Sequence, residues 1–374
     1  MIHVMQVSTR HNVGGVSKLI NSLLSNKNTI NFYITGKCED NEKEFFLEPA
    51  TESKKNIFRI QSLKRTPNLW NDSISLFALY KLIKKEKPQI IQTHMSKAGF
   101  LARLATILSR SDAKLIHSYH GLVFENYFNP ILTRCLVFLE RILGRYTHAF
   151  VFDSESIAEE VAHFSIRPRV TQSVIIPGLL QIDESYTPKD RDTGVLKILI
   201  VARLEQIKRI DRAMEALSLV NRFAPFLPFR VTVVGDGKLR NQLERESNKH
   251  NFPVEFVGWQ SSLSTFYEES HLLLLTSDSE GTPLTIMEAA YFGCPSISTK
   301  VGGISDIIED GRTGVLCSSN ANDIAQAIVA TLKYPEKLQE MARNSHEKAK
   351  KEFSEGLFLE KHLTLYQLLF SRDK

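Results

Sequence analysis

A chain of 374 residues exceeds the size at which one hydrophobic core keeps growing, so two α/β domains of ordinary length are expected. Hydrophobic residues at 43% and charged residues at 24% match the soluble globular average and exclude a disordered or low-complexity chain. The net charge of +5 is uneven, with 23 Lys and Arg against 17 Asp and Glu in residues 1–187 and 24 against 25 in the remainder. That excess admits an anionic partner for the first half and equally a solvated lysine-rich surface, and it does not argue for nucleic acid.

The opening Met1-Ile2-His3-Val4-Met5-Gln6-Val7 carries no cationic leader and no small-residue cleavage site. It reads as a first buried strand of a cytoplasmic protein. Apolar stretches such as 136–139 and 272–275 fall far short of a membrane span. Cys38, Cys135, Cys294 and Cys317 form no CxxC pair, so free buried thiols are expected and not a disulfide framework or metal site.

Short, nearly continuous apolar runs follow at 4–7, 32–35, 57–60, 89–93, 114–119, 149–152 and 174–176, as strands buried on both faces of a parallel sheet should read. Helix-like segments such as 74–87 and 98–108 lie between them, giving the rhythm of a doubly wound sheet. Around 186–194 the chain becomes polar and turn-forming, and the linker is placed there. A second alternation has strands at 196–201, 230–234, 254–256, 272–275, 295–298 and 314–316 and helices at 210–220, 238–250, 285–292 and 321–332. Ligands of such sheets sit beyond the carboxyl ends of the strands, so two such halves facing each other would enclose a central cleft.

After the first strand stands Ser8-Thr9-Arg10-His11-Asn12-Val13-Gly14-Gly15-Val16, which is not GxGxxG, and no acid closes a second strand about 20 residues on. A nicotinamide site is therefore disfavoured. Gly14 and Gly15 open a helix whose free N–H groups suit a phosphate, and a bare tight turn explains them equally well. The densest chemistry lies in Ser277-Asp-Ser-Glu-Gly-Thr-Pro-Leu-Thr-Ile-Met-Glu-Ala-Ala290, with Glu280 in a strand-to-helix loop and Glu288 on the helix. Thr282 or Thr285 is expected to cap that helix and Pro283 to occupy its first turn. A carboxylate accepts two hydrogen bonds at once, which vicinal sugar hydroxyls supply, and the N–H groups of Gly281 to Leu284 can hold further oxygens. Either glutamate alone also reads as an ordinary surface acid, although the apolar surroundings of Glu288 predict a largely buried turn.

The paired glutamates inside EGTPLTIMEAAYFGCP resemble the motif of retaining glycosyltransferases of family 4 (the bacterial group 1 type), whose fold is GT-B, an α/β architecture of two doubly wound Rossmann-like domains facing a central cleft. Val201-Ala-Arg-Leu-Glu-Gln-Ile-Lys208, Val234-Gly-Asp-Gly237, Phe256-Val-Gly-Trp259, Thr299-Lys-Val-Gly-Gly-Ile-Ser-Asp306 and Asp310-Gly-Arg-Thr-Gly314 follow that family in order, as do Gly14-Gly15-Val16, Gln92-Thr-His-Met-Ser-Lys-Ala-Gly99 and His117-Ser-Tyr-His-Gly121. The resemblance implies that Glu280 binds donor-sugar hydroxyls, Glu288 the ribose, Arg203 and Lys208 the diphosphate, and His120 the sugar near the reacting carbon. Gly14, Gly15, Gly258, Gly281, Thr282 and Leu284 complete the implied donor site. Two cations beside a leaving diphosphate also make independent physical sense. By residue type alone, His120 ranks no higher than His94 or His117. Pro177-Gly178 stands where relatives often carry Asn-Gly, and the only Asp-x-Asp, Asp190-Arg-Asp192, falls in the linker.

The expected domains are 1–187 on the acceptor side, 194–352 for the nucleotide sugar, and a C-terminal helix in 353–374 packing back toward the first. The implied activity is retaining hexosyl or related transfer from a nucleoside diphosphate sugar to a saccharide or lipid-linked acceptor in surface polysaccharide synthesis, with no cofactor, no metal and no nucleic acid. A front-face route, in which the departing phosphate takes the acceptor's proton, is favoured because no carboxylate is placed as nucleophile. A sugar-nucleotide epimerase and a non-enzymatic sugar-binding protein are the alternatives. The helix at 74–87 ends in Lys81, Lys84, Lys85 and Lys87, with Lys64-Arg65 before it, which fits peripheral contact with an anionic membrane at its inner face and also a dipole-favoured helix end packed on its sheet.

Overall fold

The computed structural model describes residues 1–12, 14–38, 44, 56–121, 129–175, 177–178, 180–188, 194–250 and 252–371. The chain divides into two compact units, Met1–Leu179 with Glu355–Lys374, and Leu180–Ser354. The division therefore lies between residues 179 and 180, ahead of the linker expected around 186–194. Leu180 bridges Ser354, and the Asp183 N–H donates to the Tyr291 hydroxyl at 3.0 Å, which ties this segment to the second unit. Most of the polar linker, including Asp190-Arg-Asp192, lies outside the described residues.

The first unit runs β1 (Ile2–Val7), α1 (Gly15–Ser25), β2 (Thr29–Thr35), β3 (Ile57–Arg59), α2 (Leu69–Glu86), β4 (Ile90–His94), α3 (Ser96–Ser109), β5 (Lys114–Tyr119), α4 (Pro130–Gly144), β6 (Ala149–Phe152), α5 (Glu155–His163) and β7 (Thr171–Val174). Its seven strands are ordered β3-β2-β1-β4-β5-β6-β7, with every pairing parallel. The inner strands are buried on both faces, which explains their unbroken apolar runs. The edge strand β7 reads Thr-Gln-Ser-Val and begins three residues before the apolar run that the sequence singles out. An edge strand keeps one side in water and needs no apolar signature.

Asn68, Asn129 and Ser154 cap α2, α4 and α5, each side chain accepting a first-turn N–H. These caps set helix starts that periodicity alone places late, so α2 begins at Leu69 and not near Ile74.

The second unit runs β8 (Leu196–Val201), a 3-10 turn (Gln206–Lys208), α6 (Ile210–Phe223), β9 (Phe229–Val234), α7 (Arg240–Ser247), β10 (Val254–Gly258), α8 (Ser264–Glu269), β11 (Leu272–Leu275), α9 (Leu284–Tyr291), β12 (Ser296–Thr299), α10 (Ile304–Ile307), β13 (Gly314–Cys317), α11 (Ala321–Leu332) and α12 (Pro335–Glu352). Its parallel sheet is ordered β10-β9-β8-β11-β12-β13. The last helix, α13 (Glu355–Ser371), belongs to the first unit, where Phe358, Leu365, Tyr366 and Leu369 pack with Leu19 and Leu23 of α1. Both sheets change winding direction next to their first strand, at β1/β4 and at β8/β11. At such a switch point the loops leaving the carboxyl ends diverge and open a crevice.

None of the four cysteines is in a disulfide, but only Cys294 and Cys317 are buried; Cys38 is half-buried and Cys135 exposed on α4. The expectation of four buried thiols fails at α4 because that helix turns an apolar side to solvent.

Between α3 and α4 lies a charged pair the sequence does not announce. Arg103 is fully buried, donates to the Gly99 carbonyl at 2.9 Å and pairs with Glu140 at 2.6 Å. Tyr119 donates to the other Glu140 oxygen at 3.1 Å. Glu140→Ala leaves that guanidinium buried without its carboxylate and is expected to cost about 3–5 kcal/mol. The double change Arg103→Met with Glu140→Leu removes both charges and is expected to recover most of the loss. Urea unfolding of the three proteins checks this, and an unchanged midpoint for Glu140→Ala would show the pair to be dispensable.

Candidate active site

At the switch point of the second unit, β8 ends at Val201 and β11 at Leu275, and the loops leaving them carry the charged residues singled out in the sequence. Lys208, closing the 3-10 turn, places its Nζ 2.6 and 2.7 Å from the two carboxylate oxygens of Glu280. Ser277 donates to Glu280 Oε1 at 2.5 Å. The Glu280 side chain is only 8% exposed and that of Lys208 19%, so the pair sits at the floor of the loops and not on the open surface. Arg203 is half-exposed and bonds Glu205 at 3.0 Å.

The Glu280 loop is clamped from both sides. Thr276 Oγ1 donates to the Arg209 carbonyl at 2.8 Å, and the Asp278 N–H donates to the Ile207 carbonyl at 2.9 Å. On the far side, Thr299 Oγ1 donates to the Ser277 carbonyl at 2.7 Å, and the Gly303 N–H to the Gly281 carbonyl at 3.0 Å. Gly302 has φ +53, and a Cβ there would lie 1.8 Å from the Glu280 carbonyl oxygen, so glycine is required for this approach. Arg209 takes the left-handed region at φ 49, and its guanidinium grips Asp211 and Asp278. Arg212 completes that cluster, with Nη2 2.6 Å from Asp278. In the sequence none of Ser277, Asp278, Arg209 and Arg212 carries an assigned role, although Ser277 and Asp278 open the motif segment. Their only signal there was proximity to Lys208 and Glu280 in the chain.

Glu288 lies on α9, half-buried between the buried pairs Ile286-Met287 and Ala289-Ala290, and accepts from the Tyr267 hydroxyl at 3.0 Å. Burial, followed by the Glu288 charge, raises the Tyr267 pKa well above its ordinary value, so the phenol stays a donor. The cap of α9 differs from expectation. Pro283 itself is the N-cap, without a side-chain cap, and Thr285 lies inside the helix. The first amides of α9, at Leu284 and Thr285, precede the point where intrahelical bonding begins. The Gly235 N–H donates to the Gly258 carbonyl at 2.9 Å, joining the two glycine motifs. At Gly235, with φ +131, a Cβ would lie 1.9 Å from the Ala202 carbonyl, which places the VGDG turn directly against the end of β8 before Arg203.

In the first unit, Gly14 is the N-cap of α1, which opens at Gly15. His120 follows β5, and both its ring nitrogens are engaged. Nδ1 lies 2.8 Å from Asp153 Oδ2, and Nε2 lies 2.8 Å from His94 Nδ1, with the two rings within 11° of one plane. His94 Nε2 lies 2.8 Å from Gln6 Oε1, Gln6 reaches the Tyr366 hydroxyl at 3.4 Å, and Tyr366 bonds Gln92. A buried polar chain thus runs from His120 through β4 and β1 to α13. His117 is turned away toward Thr93 Oγ1 at 2.8 Å and packs against Gly99. Among the described residues no group of three or more His, Cys, Asp or Glu converges on a metal position, and no helix is long and apolar enough to cross a membrane.

Four histidines of this unit are held neutral, in each case first by burial. His11 and His362 fall to about 4, and His94 and His117 lie well below their ordinary value. A base whose folded pKa is depressed gives its full stability above the unfolded value near 6.5 and loses it as the pH falls toward the folded value. Stability is therefore expected to decline from about pH 6.5 downward, at up to about 1.4 kcal/mol per pH unit for each histidine. Urea titrations at several pH values, read by hydrogen exchange in β1 and β4, check this, and a flat midpoint from about pH 7 to about pH 5 would refute it.

A family model for glycosyltransferase family 4 matches residues 34–178, and one for group 1 glycosyl transferases matches residues 182–348. An Escherichia coli UDP-Gal:alpha-D-GlcNAc-diphosphoundecaprenol alpha-1,3-galactosyltransferase is 27% identical over 288 residues, covering 71% of this chain and 72% of its own. Among solved structures, sucrose-phosphate synthase from Thermosynechococcus elongatus superimposes with TM-score 0.79 at 18% identity over all of both chains. Anabaena HepE in complex with UDP-glucose gives 0.79 at 16% over 98% of this chain and all of its own. With a doubly wound parallel sheet in each unit, a GT-B likeness over the whole chain and two family models that together span most of its length, the chain belongs to the family 4, group 1 glycosyltransferases.

Proposed function

We propose that the chain moves a sugar from a nucleoside diphosphate donor, with retention of anomeric configuration, to a saccharide acceptor carried on a diphosphate lipid during surface polysaccharide synthesis. The observation that carries this reading is the Lys208–Glu280 pair at the β8/β11 switch point, which sets a cation and a carboxylate 2.6 Å apart where the fold opens its crevice. When a donor arrives, its diphosphate oxygens compete for Lys208 and its hydroxyls for Glu280, so the resting pair is a charge-balanced placeholder for both ends of the ligand. Glu288, oriented by Tyr267, is assigned the ribose hydroxyls, and Arg203 shares the diphosphate.

In the proposed step the bond between the anomeric carbon and the diphosphate oxygen breaks, the acceptor oxygen bonds to that carbon, and the acceptor's proton passes to the departing phosphate. Lys208 and Arg203 stabilise the charge that grows on that phosphate, without need of a divalent ion. His120, fixed by Asp153 and His94, is assigned to the sugar near the reacting carbon. The name of the Escherichia coli relative, with its UDP-linked donor and undecaprenol-linked acceptor, supports both substrate classes. The HepE complex supports a UDP-sugar donor. Such an acceptor would bring the chain to the inner face of a membrane. An epimerase and a non-enzymatic sugar-binding protein are not favoured, because both family models describe glycosyltransferases.

Incubation with a panel of nucleotide sugars and a lipid-diphosphate saccharide, with the new anomeric centre read by NMR, tests the reading. Epimer formation without transfer, or an inverted linkage, would overturn it. Lys208→Ala and Arg203→Ala are each expected to lower kcat by about 10²-fold or more with little change in melting temperature. A lowered melting temperature at unchanged kcat would make these residues structural. Transfer is also expected to persist in excess EDTA, and full loss restored by Mn²⁺ or Mg²⁺ would contradict the metal-free assignment.

A further inference from the structure

We propose that the outward faces of α2 and α4 dock the first unit on an anionic lipid bilayer, a partner assignment that extends the lipid-linked acceptor reading. Helices α2, α3 and α4 connect β3 to β4, β4 to β5 and β5 to β6, all moving the same way across one parallel sheet. Right-handed crossovers therefore put them in one layer, with α3 packed between the other two.

The polarity of this layer is inverted. A helix that covers a sheet ordinarily turns charge to water. On α4 the water-facing positions instead carry large apolar side chains, with Ile131 at 76% exposure and Phe138 at 61%, followed by Leu139 and Ile142. On α2 the same holds for Leu69 and Trp70, at 91% and 77%, and for Phe77. Exposed tryptophan and phenylalanine beside basic residues is the composition of a helix lying in a membrane interface.

The charge of the layer selects the partner. The exposed charged residues of these helices are Lys81, Lys84 and Lys85 on α2 and Arg134 and Arg141 on α4, with Arg145 directly after it. The acids of the same helices are withdrawn from the surface: Asp72 pairs with Lys97 at 2.6 Å, Glu140 with Arg103 at 2.6 Å, and half-buried Glu86 with Lys85 at 3.2 Å. The apolar faces of α2 and α4, rimmed by cations and free of exposed acids of their own, complement anionic headgroups above an acyl layer, and the exposed acids of this layer, Glu155 and Glu159, lie beyond α4 on α5. A second copy of the chain fits it poorly, since a two-fold contact would set Arg134 and Arg145 against their own like charges.

Flotation of the full chain with phosphatidylglycerol-containing vesicles, without donor or acceptor, tests the proposal separately from transfer. Binding is expected to anionic vesicles and not to pure phosphatidylcholine, and to weaken with salt. Arg134→Glu with Arg145→Glu should reduce it about 25-fold or more, at about fivefold per cation. Phe138→Asp with Ile142→Asp should abolish it while transfer to a water-soluble acceptor continues, and Trp70→Phe should remove the fluorescence that brominated lipid quenches. Absence of wild-type binding at low salt, or equal binding by the charge-reversed protein, would overturn the proposal and leave the transferase reading standing. A dimer in light scattering that Phe138→Asp dissociates would overturn it in favour of a second copy. Loss of transfer to both soluble and lipid-linked acceptors with vesicle binding intact would instead strike at the proposed function.

Discussion

A carboxylate that is 8% exposed is tolerable only if its charge is met at close range, and at Glu280 the charge is met by Lys208 and the remaining lone pairs by Ser277. Much of the second unit's geometry follows from keeping those three groups together. β8 and β11 must be neighbours so that the loops leaving them converge. The loop between β11 and α9 must then be pinned, by Thr276 to the Lys208 side and by Thr299 and Gly303 to the β12 side. The left-handed Arg209 is held in place by Asp211 and Asp278, so the strained residue beside Lys208 is over-determined by its surroundings. Such preorganisation matters for a group that has to meet a developing charge without moving.

The first unit solves a related problem with neutral groups. His94, Gln6, Tyr366 and Gln92 form a chain of donors and acceptors through the core of the sheet. Buried polar groups are tolerated there because each is given a partner, and a network of this kind fixes one arrangement of its members. Burial keeps His94 neutral, so its ring carries one donor and one acceptor, and it holds the His120 ring in plane from one side while Asp153 holds it from the other. Tyr366 belongs to α13, so the C-terminal helix contributes to the setting of a histidine more than 240 residues earlier in the chain.

The two units thus divide their charges differently. In the second, opposite charges face each other across loops at the end of a sheet. In the first, the acids of α2 and α4 are spent on internal pairs while the cations of these two helices face outward. Helices α2 and α4 expose five cations and no acid, whereas α5 exposes Glu155 and Glu159.

By itself the sequence carried the strand and helix alternation, because doubly buried parallel strands leave continuous apolar runs, as at 196–201 and 272–275. It also carried the positions of Glu280 and Glu288 on loop and helix, through the motif between β11 and α9. It could not carry contacts made by residues distant in the chain. Lys208 and Glu280 are 72 residues apart, and Arg103 and Glu140 are 37, so each pair is created only when the sheet order brings their loops or helices side by side. Helix starts at Asn68 and Pro283, the polar edge strand β7 and the exposed Cys135 were misread or missed for one shared reason. Local pattern reports how apolar a segment is, whereas capping, edge position and the facing of α4 are decided by what the tertiary structure places beside it.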